Sequence, residues 1–155
     1  MDAKPDNPRT RVPPPLFVLV FVLIGLGLQW VHPLYFVPGH LRLILSILLI
    51  GGGLAVTISC AVKFKRAKTG IKPWEATTRI IATGLYRFSR NPIYCGFILV
   101  GLGIAFAVNN LWIALLQIPL IFALDKFIIQ KEEIYLEEKF GEEYRAYKKK
   151  VRRWV

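Results

Sequence analysis

Acidic residues are scarce in this 155-residue chain, with 10 Asp and Glu against 21 Lys and Arg and a formal charge of +11. Cysteine and histidine are scarcer, at two each. So few cannot build a disulfide framework or a zinc cluster of ordinary spacing, and no metal is expected. Low hydrophobicity is also missing. The chain is 54% apolar with a mean hydropathy of +0.44, which excludes intrinsic disorder and exceeds the roughly 45–50% of ordinary globular chains. No basic soluble module stands apart from the apolar runs, so the positive charge is read as attraction to anionic lipid and not to nucleic acid. These totals point to a small integral membrane protein.

Four apolar stretches support that reading. Leu16–Val31 carries no charge and ends in Gln29-Trp30-Val31-His32-Pro33-Leu34-Tyr35-Phe36. That aromatic group suits a membrane–water interface, so the stretch is read as a retained helix and not a cleaved signal. Leu41–Val62 is long enough to cross a bilayer and has Gly51, Gly52 and Gly53 in its middle, small residues that permit close helix contact in lipid. Ile93–Val108 and Leu111–Gln130 are separated only by Asn109-Asn110, which forces an antiparallel hairpin. Gly96, Gly103 and Ala107 place a small-residue seam on the third helix, and Pro119 is expected to kink the fourth.

Of the 21 basic residues, 20 fall on one side of these crossings, and Arg42 is the exception. The positive-inside rule then places both termini in the cytoplasm. The expected layout is an all-α membrane fold with about four transmembrane helices: a tail (1–15), a helix pair (16–62), a cytoplasmic loop (63–92), a transmembrane hairpin (93–130) and a cytoplasmic amphipathic helix (131–155).

Chemistry-bearing residues concentrate in two places. One is the loop Thr69–Gly96, which ends in Asn91-Pro92. Asn is a good helix cap and Pro fits the first helical position, so a helix N-terminus is expected beside Arg87 and Arg90, either a place favourable to a carboxylate or phosphate or a plain capped helix beside a positive-inside loop. The other follows the fourth apolar stretch. Leu136, Phe140, Tyr144, Tyr147 and Val151 recur at helical spacing, and Glu132 and Glu133 fall where the helix leaves the bilayer. Asp125, seven residues before Glu132, lies on roughly the same face, where it is either functional or paired with Lys126 or Lys131. Cys60 and Cys95 are read as buried thiols. His32 and His40 lie in the loop opposite the site.

Thr83-Gly84-Leu85-Tyr86-Arg87, Arg90-Asn91-Pro92-Ile93-Tyr94-Cys95-Gly96, Glu132-Glu133, and then Leu136, Phe140-Gly141, Tyr144 and Tyr147 follow one another in order. This set resembles the isoprenylcysteine carboxyl methyltransferase and phospholipid N-methyltransferase group of membrane enzymes. The resemblance covers roughly the last 90 residues. It implies S-adenosylmethionine as cofactor, held between the last helices and the cytoplasmic segments by Gly84, Tyr86, Asn91, Pro92, Tyr94, Glu132 and Glu133. Arg87 and Arg90 are the expected catalytic residues at the mouth, and the expected partner is a membrane lipid or small amphiphile. No soluble G-x-G-x-x-G unit is needed, and Gly101-Leu102-Gly103 inside the third helix is read as packing. Two departures stand out: Asn91 where many members have His, and Leu85 where Pro is frequent. The function implied is methyl transfer to an amphiphilic acceptor, a carboxylate in the isoprenylcysteine manner or, alternatively, a phospholipid amine. A non-catalytic lipid-binding protein of the same fold is the competing class.

Overall fold

A computed structural model of the chain describes residues 7–8, 12–37, 39–70 and 75–155. Lys4, Arg9, Arg11 and Lys72 of the charge argument, with most of the 1–15 tail, lie outside the described residues. Among the described residues there is no strand. Four apolar helices form the bundle: α1 (Pro14–Val31), α2 (Leu41–Arg66), α3 (Pro92–Ala107) and α4 (Leu111–Leu124). A π-helical turn, Asp125–Ile129, carries α4 into α5 (Gln130–Phe140), and α6 (Glu142–Lys150) follows.

The sequence accounts for the ends of these helices. Pro14 and Pro92 occupy first-turn positions, where a missing N–H costs nothing. The basic Lys63, Lys65 and Arg66 fill the last turn of α2, where they complement the helix dipole. Both asparagines of the hairpin link work structurally. Asn109 takes a left-handed conformation (φ 48°), and its Oδ1 accepts from the backbone N–H groups of Phe36 and Val37. Asn110, fully buried, caps α4 by accepting from Ile113 N at 3.1 Å and donates to Gly25 O at 3.0 Å. The 34–37 segment and α1 are thereby tied to the hairpin.

α2 packs along α3, α1 along α4, and α3 also meets α4 and α1. The expected small-residue seam is present at Gly96 and Gly103. A Cβ on Gly53 would come 2.6 Å from Gly96 O, and one on Gly96 would come 2.8 Å from Gly53 O. One on Gly103 would meet the Ile50 backbone nitrogen at 2.9 Å. Backbone cannot yield as a side chain can, so this close approach requires glycine. Of the three consecutive glycines in α2, only Gly53 is used in this way, because Gly51 and Gly52 face open space. The densest core lies around α4, where Ile113, Leu120, Leu124, Ile128 and Ile129 are fully buried with Ala105 of α3. Large side chains such as Leu23, Ile47 and Phe122 point outward, as in a bundle solvated by lipid.

Three helices are long and apolar enough to span a bilayer: Pro14–Val31, Leu41–Arg66 and the continuous run Leu111–Phe140. α3, with 16 residues, is the short one, about 24 Å at ~1.5 Å per residue. Two further points set the last 40 residues against expectation. α4 runs through Pro119, the residue at which a kink is expected, and a π turn follows it at Asp125–Ile129. The amphipathic helix expected over 131–155 is two helices. Gly141, at φ 53° and ψ −122°, separates α5 from α6 in a conformation that L side chains avoid.

Candidate active site

The break at Gly141 matters because it directs Tyr144 and Tyr147 back toward the start of α3. Tyr147 donates to Tyr86 O at 2.8 Å. Together with the short 3-10 turn Gly84–Arg87 and residues 75–81, these side chains close a cavity of about 810 Å³, open solvent at its mouth included. Its walls are aromatic and aliphatic, from Phe64, Ile80, Tyr86, Tyr135, Tyr144 and Tyr147, and its polar groups are Asn91, Arg79, Arg90, Glu132 and Glu133. Burial holds the hydroxyls of Tyr86 and Tyr144 well above the usual tyrosine range and pushes Tyr147 up to about 12. These tyrosines are neutral walls and hydrogen-bond donors, not phenolate bases.

The two adjacent acids have different surroundings. Glu133 is buried and accepts from Arg153 at both oxygens, Nε to Oε1 at 3.0 Å and Nη2 to Oε2 at 2.5 Å. Arg90 Nη1 lies 3.1 Å from the same Oε1. Arg153 also reaches Asp125, with Nη1 3.2 Å from Oδ1. The extra residue of the π turn aligns Asp125 with Glu133, so its partners are Arg153 and Gln130 and not Lys126 or Lys131. Glu132, by contrast, has no basic partner among the described residues. It is half-buried, lines the cavity, and accepts only a 2.7 Å hydrogen bond from Tyr94 Oη.

The Asn91 corner is built from residues after α6. Asn91 Nδ2 donates to Arg153 O at 2.9 Å, Ser89 Oγ donates to the same carbonyl at 3.3 Å, and Arg90 N donates to Arg152 O at 2.9 Å. Asn91 therefore stands at the cap position of α3 without capping by its side chain, and its own N–H goes to Ser89 Oγ. Arg90 is nearly buried, and its Nε and Nη1 have no hydrogen-bond acceptor among the described residues, since Nη1 meets Glu133 by charge but out of line.

Of the expected site residues, Tyr86, Arg90, Asn91, Tyr94, Glu132 and Glu133 share the cavity. Pro92 is buried behind it as the first residue of α3. Gly84 and Arg87 are not in its lining. Arg87 is exposed, and Gly84 faces a separate depression beside α2. Of the expected pair Arg87 and Arg90, then, Arg90 stands at this cavity and Arg87 does not. Thr77 and Arg79 line it without having been singled out, although both belong to the loop that drew attention. Thr77 is fixed there by donating its N–H to Tyr135 Oη at 3.1 Å.

Residues 41–143 match the phospholipid methyltransferase family. The chain belongs to that family. Among curated proteins, it is 27% identical over 108 residues to the protein-S-isoprenylcysteine O-methyltransferase of Schizosaccharomyces pombe, covering 63% of this chain and 46% of that one. The chain thus spans less than half the length of the yeast enzyme. An uncharacterized protein of Haemophilus influenzae is 43% identical over 63 residues, all of its own length and 41% of this chain. No solved structure matches the chain. The family match takes in α2, α3, α4 and α5, and with them Tyr86, Arg90, Asn91, Tyr94, Glu132 and Glu133 of the cavity. With its apolar helices, the match makes this an integral membrane protein of a methyltransferase family.

Proposed function

We propose that this protein transfers a methyl group from S-adenosylmethionine to an amphiphilic acceptor at the cytoplasmic face of the membrane. The observation that carries the reading is Glu132, a carboxylate facing a cavity with no basic side chain against it among the described residues. A half-buried carboxylate without a counter-charge favours a cationic ligand. The donor set fits the cofactor. Glu132 would accept from its ammonium, Arg90, whose Nε has no hydrogen-bond acceptor among the described residues, would face its carboxylate, and the Phe64, Tyr86 and Tyr147 walls suit an adenine ring. Bound there, S-adenosylmethionine supplies an electrophilic methyl group on a sulfonium.

The protein's own contribution is to position and to exclude water. Tyr94 fixes the Glu132 carboxylate, the Asn91 corner is pinned to residues 152–153, and α6 covers the cavity from the aqueous side. Holding two reactants in register this way is worth ~7–11 kcal/mol of barrier. Glu133, committed to Arg153 and Arg90, acts here as the anchor that sets α5 against α3. The test is calorimetry with S-adenosylhomocysteine in detergent or nanodiscs. Saturable binding is expected, and a purified, folded protein that releases no heat at any concentration would return the chain to a non-catalytic lipid-binding role.

The same reading places both termini and the cavity on the cytoplasmic side, supported by the distribution of 20 of the 21 basic residues. A cysteine placed next to the α3–α4 link, at Val108, in a protein with Cys60 and Cys95 replaced, is expected to react with an impermeant thiol reagent from outside intact cells. Reaction instead at a cysteine replacing Thr78 would invert the orientation.

A further inference from the structure

Lys63, in the last turn of α2, is half-buried and has no acidic partner among the described residues. Its ammonium lies against the 3-10 turn. Gly84 takes φ +66°, and a Cβ there would lie 2.7 Å from Lys63 Nζ. Lys63 and Ser59 are common to two adjoining depressions, of about 350 Å³ and 740 Å³ with open solvent included. The smaller one runs between Cys60 and the Gly84-Leu85-Tyr86 turn, and the larger extends past Val62 to Arg66. Ser59, Val62 and Arg66 lie on the outward face of α2 together with Ile58 and Leu54, which are exposed where the bundle meets lipid. The groove therefore opens sideways to the bilayer near its cytoplasmic surface. Its inner end is Tyr86, which is also a wall of the cofactor cavity.

An uncompensated ammonium at this depth attracts an anion, and an anion that reaches it from the side carries a hydrocarbon tail. We infer that the groove at Lys63 is the acceptor's docking site: it holds an anionic group, phosphate or carboxylate, of the amphiphile to be methylated, so that the amphiphile's reactive end reaches past Tyr86 into the cavity. This rests on the methyltransferase reading above and assigns it a second, separate site with its own charge requirement. Gly84 belongs to that site and not to the cofactor's. The same chemistry could come from a bystander lipid, and the two sources behave differently.

The first arm needs no cofactor. Spin-labelled phosphatidic acid and spin-labelled phosphatidylcholine are compared for association with the protein in phosphatidylcholine nanodiscs. Wild type is expected to prefer the acidic lipid. Lys63→Gln should lose that preference by roughly tenfold or more, the value of a charge-assisted contact, and Lys63→Arg should keep it. Gly84→Ala, which pushes the ammonium aside, should weaken it as well. Equal preference in wild type and Lys63→Gln overturns the site. The second arm follows methyl transfer from labelled S-adenosylmethionine to total membrane lipid extract. Added phosphatidic acid should inhibit wild type competitively with the extract, and inhibition should weaken in Lys63→Gln, whose S-adenosylhomocysteine affinity stays at the wild-type value. Lys63-dependent lipid binding without such competition would mark a bystander site and overturn the acceptor assignment. Absence of S-adenosylhomocysteine binding in wild type would instead remove the methyltransferase reading and leave the first arm's result standing.

Discussion

Glu133→Gln is expected to lower unfolding stability in detergent by about 3–5 kcal/mol, the cost of breaking a buried ion pair from one side. Glu133 is the common partner of two arginines, Arg153 at 2.5 and 3.0 Å and Arg90 at 3.1 Å. Arg153 would keep Asp125 after the change and is one-third exposed, so water compensates part of its loss. Arg90 would not be compensated. Its side chain is only 10% exposed, and Glu133 is its one ion-pair partner among the described residues. The prediction can therefore be checked from the other side. Arg153→Leu leaves Glu133 with Arg90 and should cost less, about 1.5–3 kcal/mol. Adding Arg90→Met to Glu133→Gln should recover much of the loss, because no charge then remains buried alone. A double variant as unstable as the sum of its singles would mean that the cluster holds the fold by packing and not by charge.

The sequence showed this cluster only in part, because its members are distant in the chain. Arg153 is 20 residues from Glu133 and 28 from Asp125, and Tyr94 is 38 from Glu132. Periodicity reports what shares a face of one helix and says nothing about such meetings. Local signals read well. Asn91-Pro92 opened α3 as expected, the Asn109-Asn110 link made the hairpin, and the glycine seam lay where α2 and α3 touch. Gly141 was legible in principle, since glycine is a helix-stop signal, but the 3.6-residue recurrence of apolar and aromatic residues across it gave the same pattern as an unbroken helix. The π turn has no comparable signature. It adds one residue between Asp125 and the acid pair, and that residue decides which acid Asp125 joins and which is left facing the cavity.

That difference between neighbours sets the second large effect. Glu132→Gln should reduce affinity for S-adenosylhomocysteine by about ten- to a hundredfold while leaving the unfolding transition near that of wild type. The substitution keeps size and keeps an oxygen able to accept from Tyr94 Oη, the one side-chain hydrogen bond Glu132 makes among the described residues. What it removes is the charge that would accept from the ligand ammonium, worth ~1.5–3 kcal/mol, and each 1.4 kcal/mol is tenfold in binding. Tyr94→Phe should act in the same direction and more weakly, since it frees the carboxylate to turn without discharging it. Glu132→Asp keeps the charge but retracts it by one methylene, and is expected to fall between the two. The contrast with Glu133 makes the assignment testable by titration calorimetry alongside an unfolding curve: loss of binding with stability kept at position 132, loss of stability at position 133. Unchanged affinity in Glu132→Gln would reject Glu132 as the ammonium partner, whatever the outcome at Glu133.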